Sequence, residues 1–125
     1  MGLPIITKYS DRHVFFNSLN DNKGLIFMKF GAEWCAPCKL IEDDINKYFQ
    51  NMPNTVQCAI IDIDENFDLY AFLKSKKIVS GIPTILCYYQ ENDHYVPDDV
   101  VMGTDKGEIE IFFNRCLQHL LENLK

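Results

Sequence analysis

The chain has 125 residues, of which 47% are apolar, and its formal net charge is −6. This length fits a single domain spanning residues 1–125, and the apolar fraction allows a hydrophobic core that does not depend on disulfide staples. The 12 basic residues do not cluster, so the composition argues against nucleic acids and anionic membranes as partners.

The first part of the chain predicts two strands separated by a helix. Residues 5–9 indicate a short strand. Ser10 or Asp11 can cap a helix that ends before Gly24. Residues 25–30 are almost all apolar, which is typical of a strand covered on both faces. We therefore expect a buried strand shortly before the first cysteine of the chain.

The middle of the chain predicts a helix, a strand and a second helix. Apolar residues recur at helical spacing from Ile41 to Phe49, so a helix is expected there. Residues 56–63 predict another buried strand. Asp64 can then cap a helix that runs out near Lys76.

The last part of the chain predicts a hairpin followed by a helix. Residues 84–89 and 95–102 predict two strands joined by a turn, and Pro97 indicates that the second strand lies at a sheet edge. A terminal helix is expected to reach Leu124. The order βαβαβαββα predicts an α/β fold, with a central mixed sheet of four to five strands and helices on both faces.

Two cysteines, Cys35 and Cys38, fall at the predicted junction between the apolar strand and the next helix. Unpaired amides and the helix dipole favour a thiolate at a helix N-terminus, so we expect Cys35 to be an exposed nucleophile with a lowered pKa. Cys38 would lie one turn further in and be more covered. Pro37 fits the first turn, where its missing N–H removes no helical hydrogen bond. The spacing predicts a redox-active disulfide that forms and breaks locally.

Other interpretations of these cysteines are weaker. A structural zinc site needs four ligands, and the sequence has neither a second Cys-x-x-Cys motif nor a pair of closely spaced histidines. The other three cysteines, Cys58, Cys87 and Cys116, are expected to be small buried residues of the core. An odd number of cysteines in a chain of this size favours a reducing compartment, and we expect a cytoplasmic protein.

Three segments together resemble known active-site motifs. Residues 30–39 read Phe-Gly-Ala-Glu-Trp-Cys-Ala-Pro-Cys-Lys, residues 81–84 read Gly-Ile-Pro-Thr, and Gly103 follows the last predicted strand. These segments and the element order resemble the thioredoxin family over roughly residues 3–123. The resemblance implies the thioredoxin fold and dithiol–disulfide exchange.

The resemblance also implies a role for each matching residue. Cys35 would be the attacking thiolate and Cys38 the resolving thiol. The substrate-binding residues would be Trp34, Ile82, Pro83 and Gly103. Pro83 would be in the cis form, and the Ile82 backbone would pair with an extended client segment.

The implied partners are client proteins that contain disulfides and a recycling reductase of the thioredoxin-reductase type. The family implies that the domain binds no cofactor or metal and that the redox-active Cys35–Cys38 disulfide is its only reactive group. We expect a monomer.

Lys29 departs from the family pattern, because thioredoxins usually carry a buried aspartate at this position on the strand. A cation beneath the cysteines would stabilise the thiolate and make the disulfide more oxidising, so Lys29 is a candidate redox-tuning residue. Pro37, between the two cysteines, is a second candidate for this role. Alternatively, Lys29 extends to the surface or pairs with an acid such as Glu42 or Asp43, without a redox role.

Three functions remain open from the sequence. The first is a protein disulfide reductase, which the Ala36-Pro37 dipeptide between the cysteines favours. The second is a disulfide oxidase or isomerase, which Lys29 would favour. The third is a binding module of the same fold, whose cysteines act as a redox switch or have no role.

Overall fold

The computed structural model of the protein describes residues 2–123. Its sheet has four strands in the order β2-β1-β3-β4. The strands are β1 (Leu25–Gly31), β2 (Val56–Asp62), β3 (Thr84–Tyr89) and β4 (Asp99–Met102). The helices are α1 (Arg12–Leu19), α2 (Ala36–Leu40), α3 (Glu42–Gln50), α4 (Phe67–Ser75) and α5 (Lys106–Glu122). Between residues 2 and 123, no helix is long and apolar enough to cross a lipid bilayer.

The sheet is mixed, as predicted. β1 pairs in parallel with β2 and antiparallel with β3, and β3 pairs antiparallel with β4. Successive side chains of a strand point to opposite faces, and β1 follows this rule with apolar residues on both sides. Leu25 and Phe27 pack with residues of α3 and α5, whereas Ile26 and Met28 pack with residues of α1 and α4. Helices therefore cover both faces of the sheet, and β1 is buried between them.

Two predicted strands are shorter than expected. Residues 5–9 form only an isolated bridge between Ile6 and Ala59 rather than a strand. The predicted strand 95–102 is paired only from Asp99 onwards, so Pro97 lies in the preceding loop. The side chain of Asp98 accepts a hydrogen bond from the Tyr89 N–H at 2.8 Å, and the Asp98 N–H donates one to the Cys87 carbonyl at 2.9 Å. Both bonds hold this loop against the end of β3.

The helix after the cysteines is interrupted. Ile41 has φ −111° and ψ 0°, and it separates α2 from α3. The break follows the short α2 directly, so the helical dipole acting on Cys35 comes from one short helix. The predicted end of the last helix at Leu124 lies outside the described residues, and α5 is described to Glu122.

The prediction that Asp64 caps α4 is wrong. The N-cap position is Asn66, and its side chain does not cap the helix but holds the N-terminal segment. The Asn66 amide accepts a hydrogen bond from the Tyr9 N–H at 2.8 Å and donates one to the Thr7 carbonyl at 3.2 Å. Between the Ile6 bridge and α1, the segment is thus fixed by the Asn66 side chain rather than by a strand ladder.

An ion pair joins α1 to α4. The Arg12 guanidinium donates to both oxygens of Asp68, at 2.7 and 3.1 Å, and the Arg12 backbone N–H donates to the same carboxylate at 2.8 Å. The hydrogen bonds from the Arg12 side chain and backbone lower the pKa of Asp68 from 3.8 to about 2. The ionised carboxylate is therefore favoured in the folded state.

We expect Asp68→Asn to lower stability at about pH 6, with a penalty that shrinks as the pH falls. A carboxylate with a depressed folded pKa contributes stability above its unfolded pKa, and this contribution is lost as the pH falls through its folded pKa. Urea unfolding at several pH values between about 6 and 2 measures the difference between variant and parent. Asp93→Asn, which removes an exposed carboxylate, is the control and should not cause a stability penalty that shrinks as the pH falls. A penalty for Asp68→Asn that is independent of pH would contradict the assignment.

Candidate active site

The two cysteines of the predicted redox pair form a disulfide at the start of α2. Their Cα atoms are 5.3 Å apart. Cys35 is the N-cap residue of α2, and its sulfur accepts a hydrogen bond from the Cys38 N–H at 3.2 Å. Pro37 lies in the first turn of α2, where its missing N–H removes no helical hydrogen bond. The strand-to-helix junction thus places both sulfurs at one end of β1.

The expectation that Cys35 is exposed is wrong for this disulfide form. Cys35 and Cys38 are each 4% exposed, so neither is more covered than the other. The bond to Cys38 and the contact with its N–H turn the Cys35 sulfur inward.

Trp34 precedes the disulfide and is 67% exposed. Its indole Nε1 donates a hydrogen bond to Asp64 at 2.8 Å, which fixes the ring beside the cysteines. Sequence analysis missed this role of Asp64, since 30 positions separate the two residues. A groove of about 490 Å³ adjoins the ring and is lined by Glu33, Trp34, Lys39, Asp62, Asp64 and Glu65.

The loop before β3 contains the second predicted part of the site. The Ile82–Pro83 peptide bond is cis, as the resemblance implied. The Pro83 carbonyl accepts a hydrogen bond from the Gly103 N–H at 3.0 Å, so the two segments are adjacent. Gly103 has φ +96°, a left-handed conformation that favours glycine. Within residues 2–123, the backbone N–H and carbonyl of Ile82 make no hydrogen bond.

Lys29 lies on β1, and only 5% of it is exposed. It forms no salt bridge with any of residues 2–123, Glu42 and Asp43 included. Burial lowers the pKa of Lys29, and the charge of Glu42 partly opposes this shift. Lys29 therefore lies neither at the surface nor in a close ion pair.

The remaining cysteines lie in the core, as predicted. Cys58, Cys87 and Cys116 are all buried. Burial raises the pKa of Cys58 to about 12, and it also raises the pKa of Cys87. Such thiols are poor nucleophiles at neutral pH. In the part of the chain that the structure describes, no group of histidine, cysteine and acidic side chains is arranged to hold a metal ion.

Comparison with known proteins agrees with this geometry. The family model described as Thioredoxin matches residues 6–115. The chain is 32% identical over 106 residues to Thioredoxin 3 of Plasmodium falciparum, a match that covers 84% of this chain and 54% of that protein. It is 28% identical over 92 residues to the mitochondrial thioredoxin of Mus musculus, covering 74% of this chain and 51% of that protein. The chain thus spans about half the length of these curated relatives.

Solved structures show the same fold. Thioredoxin from Trypanosoma brucei brucei superposes with a TM-score of 0.70 at 23% identity, covering 92% of this chain and 93% of that one. A thioredoxin from Nicotiana alata superposes with a TM-score of 0.67 at 26% identity, covering 94% of this chain and 96% of that one. The predicted α/β architecture is therefore confirmed as the thioredoxin fold.

Proposed function

The chain belongs to the thioredoxin family, and from this membership we propose that it is a thiol–disulfide oxidoreductase that reduces disulfides of client proteins. The observation that carries the proposal is the Cys35–Cys38 disulfide at the junction of β1 and α2. Two cysteines at this spacing can form and break a disulfide locally.

The reaction has two steps. The Cys35 thiolate attacks one sulfur of a client disulfide, forming a mixed disulfide and releasing the other client sulfur as a thiolate. Cys38 then loses its proton and attacks Cys35. The second step forms the Cys35–Cys38 bond, breaks the bond to the client, and leaves the electron pair on the client sulfur. The client gains two electrons and two protons, and the dithiol becomes a disulfide.

The client would bind along the surface around the disulfide. The exposed ring of Trp34 offers apolar contact area, and its hydrogen bond to Asp64 limits its motion. The unpaired backbone of Ile82 can add an extended client segment as a short strand. Pro83 and Gly103, joined by a hydrogen bond, form the adjoining edge of this surface.

The catalytic cycle requires a partner that restores the dithiol. We assign this role to a reductase of the thioredoxin-reductase type, in this family usually a flavin enzyme that uses NADPH. The domain itself would bind no cofactor. We propose that the protein is a monomer and lies in the cytoplasm. The three buried free cysteines support the cytoplasmic location, because a reducing compartment keeps them as thiols. Nucleic acids and membranes are not among the proposed partners of this acidic chain.

The position of Lys29 favours a second candidate function, that of a disulfide oxidase or isomerase. A buried cation near the cysteines stabilises a thiolate and thereby makes the disulfide more oxidising. The reduction potential separates the two candidates. A value near about −270 mV supports a reductase, and a value of about −180 mV or above supports an oxidase or isomerase.

We expect Cys38→Ser to accumulate mixed disulfides between Cys35 and client proteins, because the resolving thiol is missing. Non-reducing gels of a lysate exposed to the variant, with and without later reduction, measure the adducts. Cys35→Ser together with Cys38→Ser is the control and should capture none. If Cys38→Ser forms no adduct, the reductase and the oxidase are both excluded. Partners that co-purify equally with the parent and the double variant under native conditions would instead favour a binding module.

A further inference from the structure

Met102 is an exposed methionine at the end of the edge strand β4. It is 49% exposed, whereas Met28 and Met52 are buried. Its partner across the sheet is Thr84, the first residue of β3. Among the methionines of residues 2–123, only Met102 is therefore open to a reagent in solution.

The sulfur of Met102 lies against the loop that precedes β3. It accepts a hydrogen bond from the Ser80 hydroxyl at 3.7 Å, and a Cβ atom at Gly81 would be 3.9 Å from it. The next residue, Gly103, donates its N–H to the Pro83 carbonyl. Met102 thus adjoins the loop with the cis peptide bond, which is part of the proposed client-binding surface.

Oxidation would change the chemical character of this surface. A methionine side chain is flexible and apolar, and it adapts well to apolar partners. Its sulfoxide is polar, and enzymes that reduce methionine sulfoxide can reverse the change. The Ser80 hydroxyl already contacts the sulfur, which is only a weak acceptor, and a sulfoxide oxygen there would accept more strongly. An apolar contact beside the loop would thus become a polar, hydrated one.

We propose that Met102 is an oxidation site whose sulfoxide weakens the binding of protein clients to the loop before β3. This inference rests on the proposed function. The oxidant is hydrogen peroxide. A lone pair of the Met102 sulfur attacks one peroxide oxygen, the O–O bond breaks, and the other oxygen leaves with the bonding electrons. The departing oxygen takes up the remaining proton and becomes water, while the sulfur loses two electrons and keeps the first oxygen as a sulfoxide.

The reactive cysteines are protected from this reagent in the disulfide form. Cys35 and Cys38 are then bonded to each other and buried. The free cysteines are buried too, and burial raises the pKa of Cys58 and of Cys87. Peroxide oxidises thiolates, which these two residues form poorly at neutral pH. Treatment of the disulfide form should therefore modify Met102 and spare the cysteines.

The test exposes the disulfide form to dilute hydrogen peroxide, removes the reagent and locates the added oxygen by peptide mass spectrometry. We expect Met102 to be oxidised well before Met28 or Met52. The treated protein is then assayed with a chemical dithiol that reduces disulfides but not sulfoxides. We expect its KM for insulin, the protein substrate, to rise about tenfold with little change in kcat. Reduction of hydroxyethyl disulfide, which has no polypeptide to contact the loop, should not change.

Three variants separate Met102 from other effects of peroxide. Met102→Leu keeps an apolar side chain of similar volume, so peroxide should not change its KM for insulin. Met102→Gln introduces a polar side chain, so its KM should be raised before any treatment. Met52→Leu, the buried control, should respond to peroxide as the parent does. Methionine sulfoxide reductases, one for each sulfoxide epimer, should restore the KM of the treated parent.

The results that overturn the inference differ from those that refute the proposed function. Oxidation of Met102 with no change in the KM for insulin overturns the inference. A Met102→Leu protein that responds to peroxide like the parent, or preferential oxidation of Met28 or Met52, overturns it as well. An untreated parent that reduces neither insulin nor hydroxyethyl disulfide would instead refute the proposed function.

Discussion

Replacing Cys35 by serine is expected to reduce the catalysed rate of protein-disulfide reduction to that of the uncatalysed reaction. A serine hydroxyl is not ionised at neutral pH and cannot form a disulfide, so neither step of the exchange can begin. Because Cys35 also caps α2 through its sulfur, serine is a suitable replacement, since its oxygen can accept the same hydrogen bond from the Cys38 N–H. Turnover of a disulfide-containing protein substrate, with a chemical dithiol as reductant, measures the effect.

The matched control is Cys58→Ala, which removes a thiol that is buried in the core and has a pKa of about 12. This variant should keep the activity of the parent protein while it remains folded. Full activity of Cys35→Ser would show that another thiol is the nucleophile. Loss of activity in folded Cys58→Ala would contradict the assignment of Cys58 to the core.

Local sequence patterns predict much of this fold. The run at residues 25–30, apolar except for Lys29, identifies β1, because a strand buried on both faces is apolar at nearly every position. The location of the disulfide follows from three-residue spacing at a strand-to-helix junction. The burial of Cys116 follows from its place on the apolar stripe of α5. Each of these features depends on residues that are close together in the chain.

Features that depend on distant residues were not predictable in the same way. The first half of the predicted strand 95–102 is a loop instead, which the Asp98 side chain ties to β3. Asn66 takes the cap position expected of Asp64 because its amide binds the segment before α1, 57 positions away at Tyr9. Side-chain hydrogen bonds of this kind compete with the backbone hydrogen bonds of regular secondary structure, and the pattern of apolar residues does not predict them.

In the candidate site, too, some features could not be predicted from local sequence patterns. The cis form of the Ile82–Pro83 bond was expected only through the resemblance, because few such bonds are cis. The state of Lys29 was left open by the sequence, which allowed a redox-tuning cation beneath the cysteines, a surface position or an ion pair. The structure buries Lys29 on β1 beside the half-buried Ile60, its partner in β2, without a salt bridge to any of residues 2–123.

Replacing Phe27 by alanine is expected to lower the free energy of unfolding by about 3–5 kcal/mol. Phe27 is fully buried on β1, and its ring contacts three other aromatic rings. The ring centroids lie 6.2 Å from Phe49, 5.8 Å from Phe112 and 5.0 Å from Phe113. Alanine leaves a cavity between the sheet and α3 and α5, which secondary structure on either side prevents from collapsing.

Urea unfolding, followed by far-UV circular dichroism, measures this loss as a lower transition midpoint with an unchanged slope. Domains of this kind have a free energy of unfolding of about 5–15 kcal/mol, so the variant should unfold at a much lower urea concentration than the parent. The matched control is Phe67→Ala at the start of α4, where the ring is 70% exposed and the expected change is within about 0.5 kcal/mol. Equal losses for the two variants would show that Phe27 does not lie in a packed core. A large loss at Phe27 alone would establish that the contacts of β1 with α3 and α5 hold the strand that carries the active-site junction.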